Sequence, residues 1–244
     1  MDYRIEFAYT SHRGNLRGKN QDNLFCDGFF LPADHDSLPS VFGGRAGPGD
    51  TRLFAVFDGI GGEQCGETAS RLAAETLAGR SLDRREQSLA EACMEGNRRI
   101  VRFAEENRLK ACGTTAAMLL LDPEGAAWCS IGDSRICLIR DGAIQRLTED
   151  DVFPAAGKRK PPLLQFLGIP EQNMRIEPHT GTGTVRRGDV YVLCTDGLTD
   201  MVPEQSIPAV IRGASPPDAG GLLLRKALAA GGRDNITFFL ICIL

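Results

Sequence analysis

The chain has 244 residues, 42% hydrophobic and 25% charged, which is enough apolar side chain for a sizeable core and too even a mixture for a disordered or repetitive polypeptide. A net charge of −4 argues against a polyanion such as nucleic acid as the main partner, because such binders normally carry a basic domain or stripe. No run reaches ~18 apolar residues, and the opening MDYRIEFAYT lacks the basic, apolar, small-residue order of a signal peptide, so a soluble, cytoplasmic protein with no membrane partner is expected.

Along the chain, RIEFAYT alternates apolar and polar residues, and NLFCDGFF, RLFAVF, TTAAMLLLD, AAWCSIG, RICLIRDG, DVYVLCT and NITFFLICIL are runs of strand length. Asp141-Gly142 reads as a hairpin turn between two strands. Residues 63–79 and 86–109 read as helices, the second placing Leu89, Cys93, Ile100, Phe103 and Ala104 on one core-facing stripe. A second helical pair, about 203–212 and 218–230, precedes the last strand. Grouped strands and blocked helices point to α+β layers rather than βαβ alternation. Segment 31–50, dense in Pro and Gly, reads as a loop, and 148–175 as a long irregular stretch. With no repeat and no linker, one domain over 1–244 is expected. Eight cysteines without a C-x-x-C read as reduced core residues; Cys65, after a glycine loop near the proposed site, is the single candidate for redox sensitivity, a reading weaker than that of a core residue.

Four aspartates stand where such runs meet Gly, Asn or Arg, in RGKNQDN (Asp22), LFAVFDGIGG (Asp58), VYVLCTDGL (Asp196) and GGRDNITFFL (Asp234). Acids at strand ends form a carboxylate cage for hard ions. Oxygen donors suit Mg²⁺ and Mn²⁺, whereas zinc recruits His or Cys, and His12, His35 and His179 have unrelated spacings. Two such ions ~3.5–4 Å apart can share a water, lower its pKa and aim it at phosphorus. Gly59, Gly61 and Gly62 let backbone approach an ion and leave the Gly59 carbonyl as a ligand. Arg17 can grip two phosphate oxygens at once. No nucleophile elbow, phosphate loop or Asp-x-Asp pair after an apolar strand supports a covalent route.

The order RGKNQD, VFDGIGGE, CGTT, IGDSR, TDGL, GGRDNIT resembles the metal-dependent protein serine/threonine phosphatases, the PPM or type 2C family, in its compact bacterial form. The resemblance spans nearly the whole chain. It implies an α-β-β-α sandwich of two antiparallel sheets flanked by helix pairs, with the metal site at one edge. It implies that Asp58 bridges two Mn²⁺ or Mg²⁺ ions, that Asp196 and Asp234 complete one site, and that the Gly59 carbonyl faces the other with Asp22 beside it through water. Asp133, in IGDSR, matches the acid that holds a third, weaker ion with Asp196, and Arg17 matches the phosphate-binding arginine. The implied activity is hydrolysis of phosphoserine and phosphothreonine in proteins, substrates of a serine/threonine kinase, by one-step in-line attack of a metal-bridging hydroxide in a monomeric enzyme.

Three features depart from that pattern or qualify it. Gln21 stands where many relatives have Glu, which removes a negative charge near the second ion. Ile60 replaces the His of eukaryotic relatives, which leaves protonation of the departing alkoxide to water. The flap, 148–175, is short and Pro-rich; Lys158, Arg159 and Lys160 at its tip read as a solvated loop or as a grip on acidic phosphoproteins. Two other functions fit the sequence less well: a catalytically weak phosphatase-like regulatory binding module, suggested by Gln21 and the trimmed flap, and a dinuclear phosphodiesterase acting on nucleotides.

Overall fold

Most of the apolar runs form strands that are buried on both faces. In the computed structural model, which describes residues 3–60, 65–154 and 161–244, the strands are β1 (Ile5–His12), β2 (Asn23–Cys26), β3 (Phe29–Phe30), β4 (Phe42–Ala46), β5 (Arg52–Phe57), β6 (Gly59–Ile60), β7 (Gly113–Thr114), β8 (Ala116–Asp122), β9 (Gly125–Ile131), β10 (Arg135–Arg140), β11 (Ala143–Arg146), β12 (His179–Gly183), β13 (Val190–Cys194) and β14 (Ile236–Ile243). The helices are α1 (Gly66–Glu75), α2 (Arg85–Glu106), α3 (Asp196–Thr199), α4 (Ile207–Ile211) and α5 (Pro216–Ala229). One six-stranded sheet runs β11-β10-β13-β14-β1-β4 and the other β12-β9-β8-β5-β2-β3, every pairing antiparallel.

Strand period decides which layer each side chain enters. On β8, Ala116, Met118 and Leu120 join the core under α1 and α2, while Ala117, Leu119 and Leu121 fill the space between the sheets. On β14, Phe239, Ile241 and Ile243 enter that same central core, and Ile236, Phe238 and Leu240 pack beneath α4 and α5. Helix pairs therefore cover both outer faces of a two-sheet sandwich, the expected architecture. It explains why central strands read as unbroken apolar runs: neither face meets water. Phe54 anchors the middle layer with edge-on contacts to Phe7 and Phe239, at centroid distances of 5.0 and 5.4 Å.

Three local expectations are corrected. NLFCDGFF is two strands, because Asp27 (φ 48°) and Gly28 (φ 89°) turn the chain between β2 and β3, just as Asp141 and Gly142 (φ 54° and 80°) do between β10 and β11. The loop assigned to 31–50 contains β4, and β12 was hidden beyond the irregular stretch; both are glycine-bearing edge strands. Gly44 lies opposite Phe7 and Gly181 opposite Trp128, and each aromatic ring occupies the space a Cβ would need. The helix expected over 203–212 splits into a 3₁₀ turn, Glu204–Ser206, and α4.

Candidate metal centre

Antiparallel pairing brings the start of one strand and the end of the next to the same edge of a sheet. Asn23 pairs with Phe57, so Asp22 and Asp58 leave neighbouring strands together. Arg135 pairs with Cys194, which sets Asp133 near Asp196, and β14 begins just after Asp234. The result is a cleft of about 290 Å³ whose lining includes Arg17, Asp58, Asp133, Asp196, Asp234 and the flap residues Pro161, Pro162 and Leu163.

Among the described residues Asp58, Asp133 and Asp196 form a group in which each offers an oxygen within 4.8 Å of the others. Backbone holds Asp58 in place. Its carbonyl accepts the Thr114 hydroxyl and the Thr115 N–H, both at 2.9 Å, and its N–H donates to Thr115 Oγ1 at 3.0 Å. Thr115 Oγ1 also lies 2.6 Å from Ser134 Oγ, so CGTT and IGDSR meet behind Asp58. That role for Thr115 and Ser134 was not read from sequence; the motif order alone pointed to them. Gly59 lines the cleft, and a Cβ there would collide with the carbonyl oxygens of Gln21 and Gly66, so no side chain fits.

Asp234 lines the same cleft but stands outside the three-acid group. Oδ2 accepts Arg17 Nη2 at 2.6 Å and Oδ1 accepts the Asn235 N–H at 2.8 Å. Asn235 fastens the loop that carries Arg17, donating to the carbonyls of Arg13 and Lys19 and accepting the Gln21 N–H. Asp22 is fully buried and accepts from Thr195 Oγ1 at 2.8 Å. Burial, then the charge of Asp58, pushes its carboxyl well above the usual range, against bonds from the Thr237 and Thr195 hydroxyls. A site that raises an acid in this way favours a cation among its oxygens. The lining contains no His or Cys among the described residues, so the donor set fits Mn²⁺ or Mg²⁺ and not zinc.

Gln21 does not leave its corner without a carboxylate, although that carboxylate is paired with a lysine. Its side-chain amide donates to Glu67 at 2.9 Å, and Lys19 Nζ donates to the other oxygen at 3.0 Å, so an acid stands one step behind it. Ile60 lines the cleft as expected. Cys65 is a core thiol and not a redox sensor: the residue is 1% exposed, its thiol donates to the Ala111 carbonyl, and burial pushes it up, which starves it of reactive thiolate. Gly61, Gly62, Lys158, Arg159 and Lys160 lie outside the described residues.

The sequence profile of the family described as protein phosphatase 2C matches residues 44–229. The chain is 31% identical to the serine/threonine protein phosphatase PstP of Mycobacterium tuberculosis, over 96% of this chain and 44% of that protein, and so spans less than half of it. It is 29% identical to the serine/threonine phosphatase stp of Listeria welshimeri, over 96% of this chain and 94% of that one. Among solved structures it is similar to the catalytic domain of PstP in complex with two manganese ions, at a TM-score of 0.78 and 28% identity, covering 99% of each chain.

Proposed function

The chain belongs to the protein phosphatase 2C family, and from that premise we propose that it is a Mn²⁺- or Mg²⁺-dependent phosphatase that removes phosphate from serine and threonine side chains of proteins. The observation that carries this reading is the convergence of Asp58, Asp133 and Asp196 within 4.8 Å, in a cleft that also presents Arg17. In this reading residues 1–244 work as one phosphatase domain, monomeric and cytoplasmic, on the products of a serine/threonine kinase.

The ions, when bound, supply an activated water and charge for in-line displacement at phosphorus. Asp58 would lie between two of them, Asp196 and Asp234 would complete one site, the Gly59 carbonyl and Asp22 would serve the second, and Asp133 with Asp196 would hold a third. Arg17 would leave Asp234 for two phosphate oxygens. The pair is half-exposed, 52% and 32%, so its loss costs about 1 kcal/mol or less. Arg17 fixes the phosphoryl group, and the buried acids keep their geometry before substrate arrives. Ile60 offers no proton, so water protonates the departing alkoxide.

Hydrolysis of p-nitrophenyl phosphate and of a phosphothreonine peptide tests this. Turnover is expected with Mn²⁺, abolished by chelator and by Asp58→Asn. Metal-independent turnover, or an active Asp58→Asn protein, would overturn the mechanism; paired Mn²⁺ binding without turnover would favour a regulatory binding module.

A further inference from the structure

Behind the group of Asp58, Asp133 and Asp196 lies a further carboxylate, buried and outside the expected metal set, whose bonds lead back to the turn that carries Asp133. Asp151 is 6% exposed. Its Oδ2 accepts the Gly132 N–H at 2.9 Å, and its own N–H donates to the Gly132 carbonyl at 2.9 Å. Both backbone polar groups of the residue preceding Asp133 are thus fastened to one acid. Gly132 has φ +92°, and the Thr115 methyl lies 2.6 Å from where a Cβ would stand, so the turn is held on its other side as well.

The remaining oxygen looks outward. Oδ1 accepts Gln165 Nε2 at 2.9 Å and lies 2.7 Å from His179 Nε2, which carries the proton there because an ionised carboxylate only accepts. Gln165 clasps Glu177 through a donated and an accepted backbone bond, at 3.0 and 2.9 Å. The Asp151 carbonyl accepts the N–H of Leu164, next to the cleft-lining Leu163. Neighbouring Asp150 takes Arg135 Nε and Nη2 at 3.0 and 2.6 Å, and Arg135 also reaches Glu204. Consecutive acids therefore brace the turn on both sides of Asp133.

Three carboxylates within 4.8 Å repel one another before any cation enters. Asp133 lies on a turn between β9 and β10, so its place in the group depends on what holds that turn. We propose that Asp151 is a positioning residue that keeps the Asp133 carboxylate at the cleft, and that through Gln165 and His179 it ties the metal affinity of Asp133 to the flap end and to β12. The proposal rests on the metal reading of the cleft.

Mn²⁺ binding to the full chain, followed by calorimetry and by the paramagnetic resonance of free Mn²⁺, provides the test. Asp151→Ala is expected to weaken the most loosely held ion by about ten-fold or more, as loss of outer partners does at other metal sites, while the tighter ions bind as in wild type. His179→Ala should shift the same ion in the same direction by less. Because Asp151 acts through Asp133, the double variant Asp151→Ala with Asp133→Ala should bind like Asp133→Ala alone. Unchanged binding in both single variants, or losses that add in the double one, would overturn the proposal. Should Asp151→Ala fail to fold by circular dichroism, His179→Ala combined with Asp133→Ala closes the same cycle. Wild-type protein that binds no Mn²⁺ would overturn the metal reading itself; wild-type binding with unresponsive variants overturns only the role of Asp151.

Discussion

The group of Asp58, Asp133 and Asp196 and the pair of Arg17 and Asp234 share one cleft but are held by different bonds. Asp58 is gripped at its backbone by Thr114 and Thr115, and the Asp133 turn is clasped at Gly132 by Asp151. Arg17 and Asp234 meet only through a half-exposed ion pair of 2.6 Å. Backbone bonds fix where a carboxylate stands, whatever its charge state, whereas a solvent-facing ion pair exchanges partners at little cost. The first region is suited to ligands that stay, and in the second Arg17 is the member free to turn from Asp234 to a ligand that comes and goes.

Substitutions that separate the two regions can break this comparison. The largest effect is expected from Asp58→Asn, which removes several kcal/mol of charge stabilisation, on the order of 10³-fold or more in turnover of p-nitrophenyl phosphate. Arg17→Ala should lower kcat/KM by roughly 10- to 100-fold, the worth of a charged hydrogen-bonded contact, with Mn²⁺ binding close to wild type. A comparable loss of Mn²⁺ affinity would show that the regions are not independent. Thr115→Val leaves the Asp58 N–H and the Ser134 hydroxyl without their partner, and should lower stability to urea by about 1–3 kcal/mol and weaken Mn²⁺ binding together.

The smallest expected effect concerns Asp22. Its carboxyl is raised by burial and by Asp58, so the folded chain binds more protons than the unfolded one between the ordinary aspartate range and the raised value. Stability therefore falls as pH rises through that window. In chelator at neutral pH, Asp22→Asn should melt a few degrees above wild type, and the gap should close as pH falls toward the ordinary aspartate range. Mn²⁺ should reverse the order, since the cation stabilises the charged acid. A gap that is independent of pH would show that Asp22 is not a source of strain in the metal-free site.

Much of this was legible in one dimension. Strand-length apolar runs, acids one or two residues beyond them and the order of six motifs follow from local chemistry, because strands buried on both faces leave a strong mark and a hard-ion site needs carboxylates at their ends. Edge strands leave a weak mark: β4 and β12 hold glycines whose missing side chains are replaced by Phe7 and Trp128 from neighbouring strands. The supporting shell was hidden for a similar reason. Thr115, Ser134, Asn235 and Asp151 are ordinary polar residues until the fold places them against Asp58, the Arg17 loop and Gly132.

The sequence by itself determined the kind of site, since oxygen donors at strand ends with few histidines select hard cations wherever the strands lie. Only the tertiary structure decided which acids meet, because that depends on antiparallel register: Asn23 opposite Phe57 and Arg135 opposite Cys194 bring distant segments to one edge. Register also put Asp234 on Arg17, Gln21 on Glu67 and Cys65 out of reach of solvent. Such pairings are long-range packing outcomes, fixed by the cores on either side of each sheet and by no single stretch of chain.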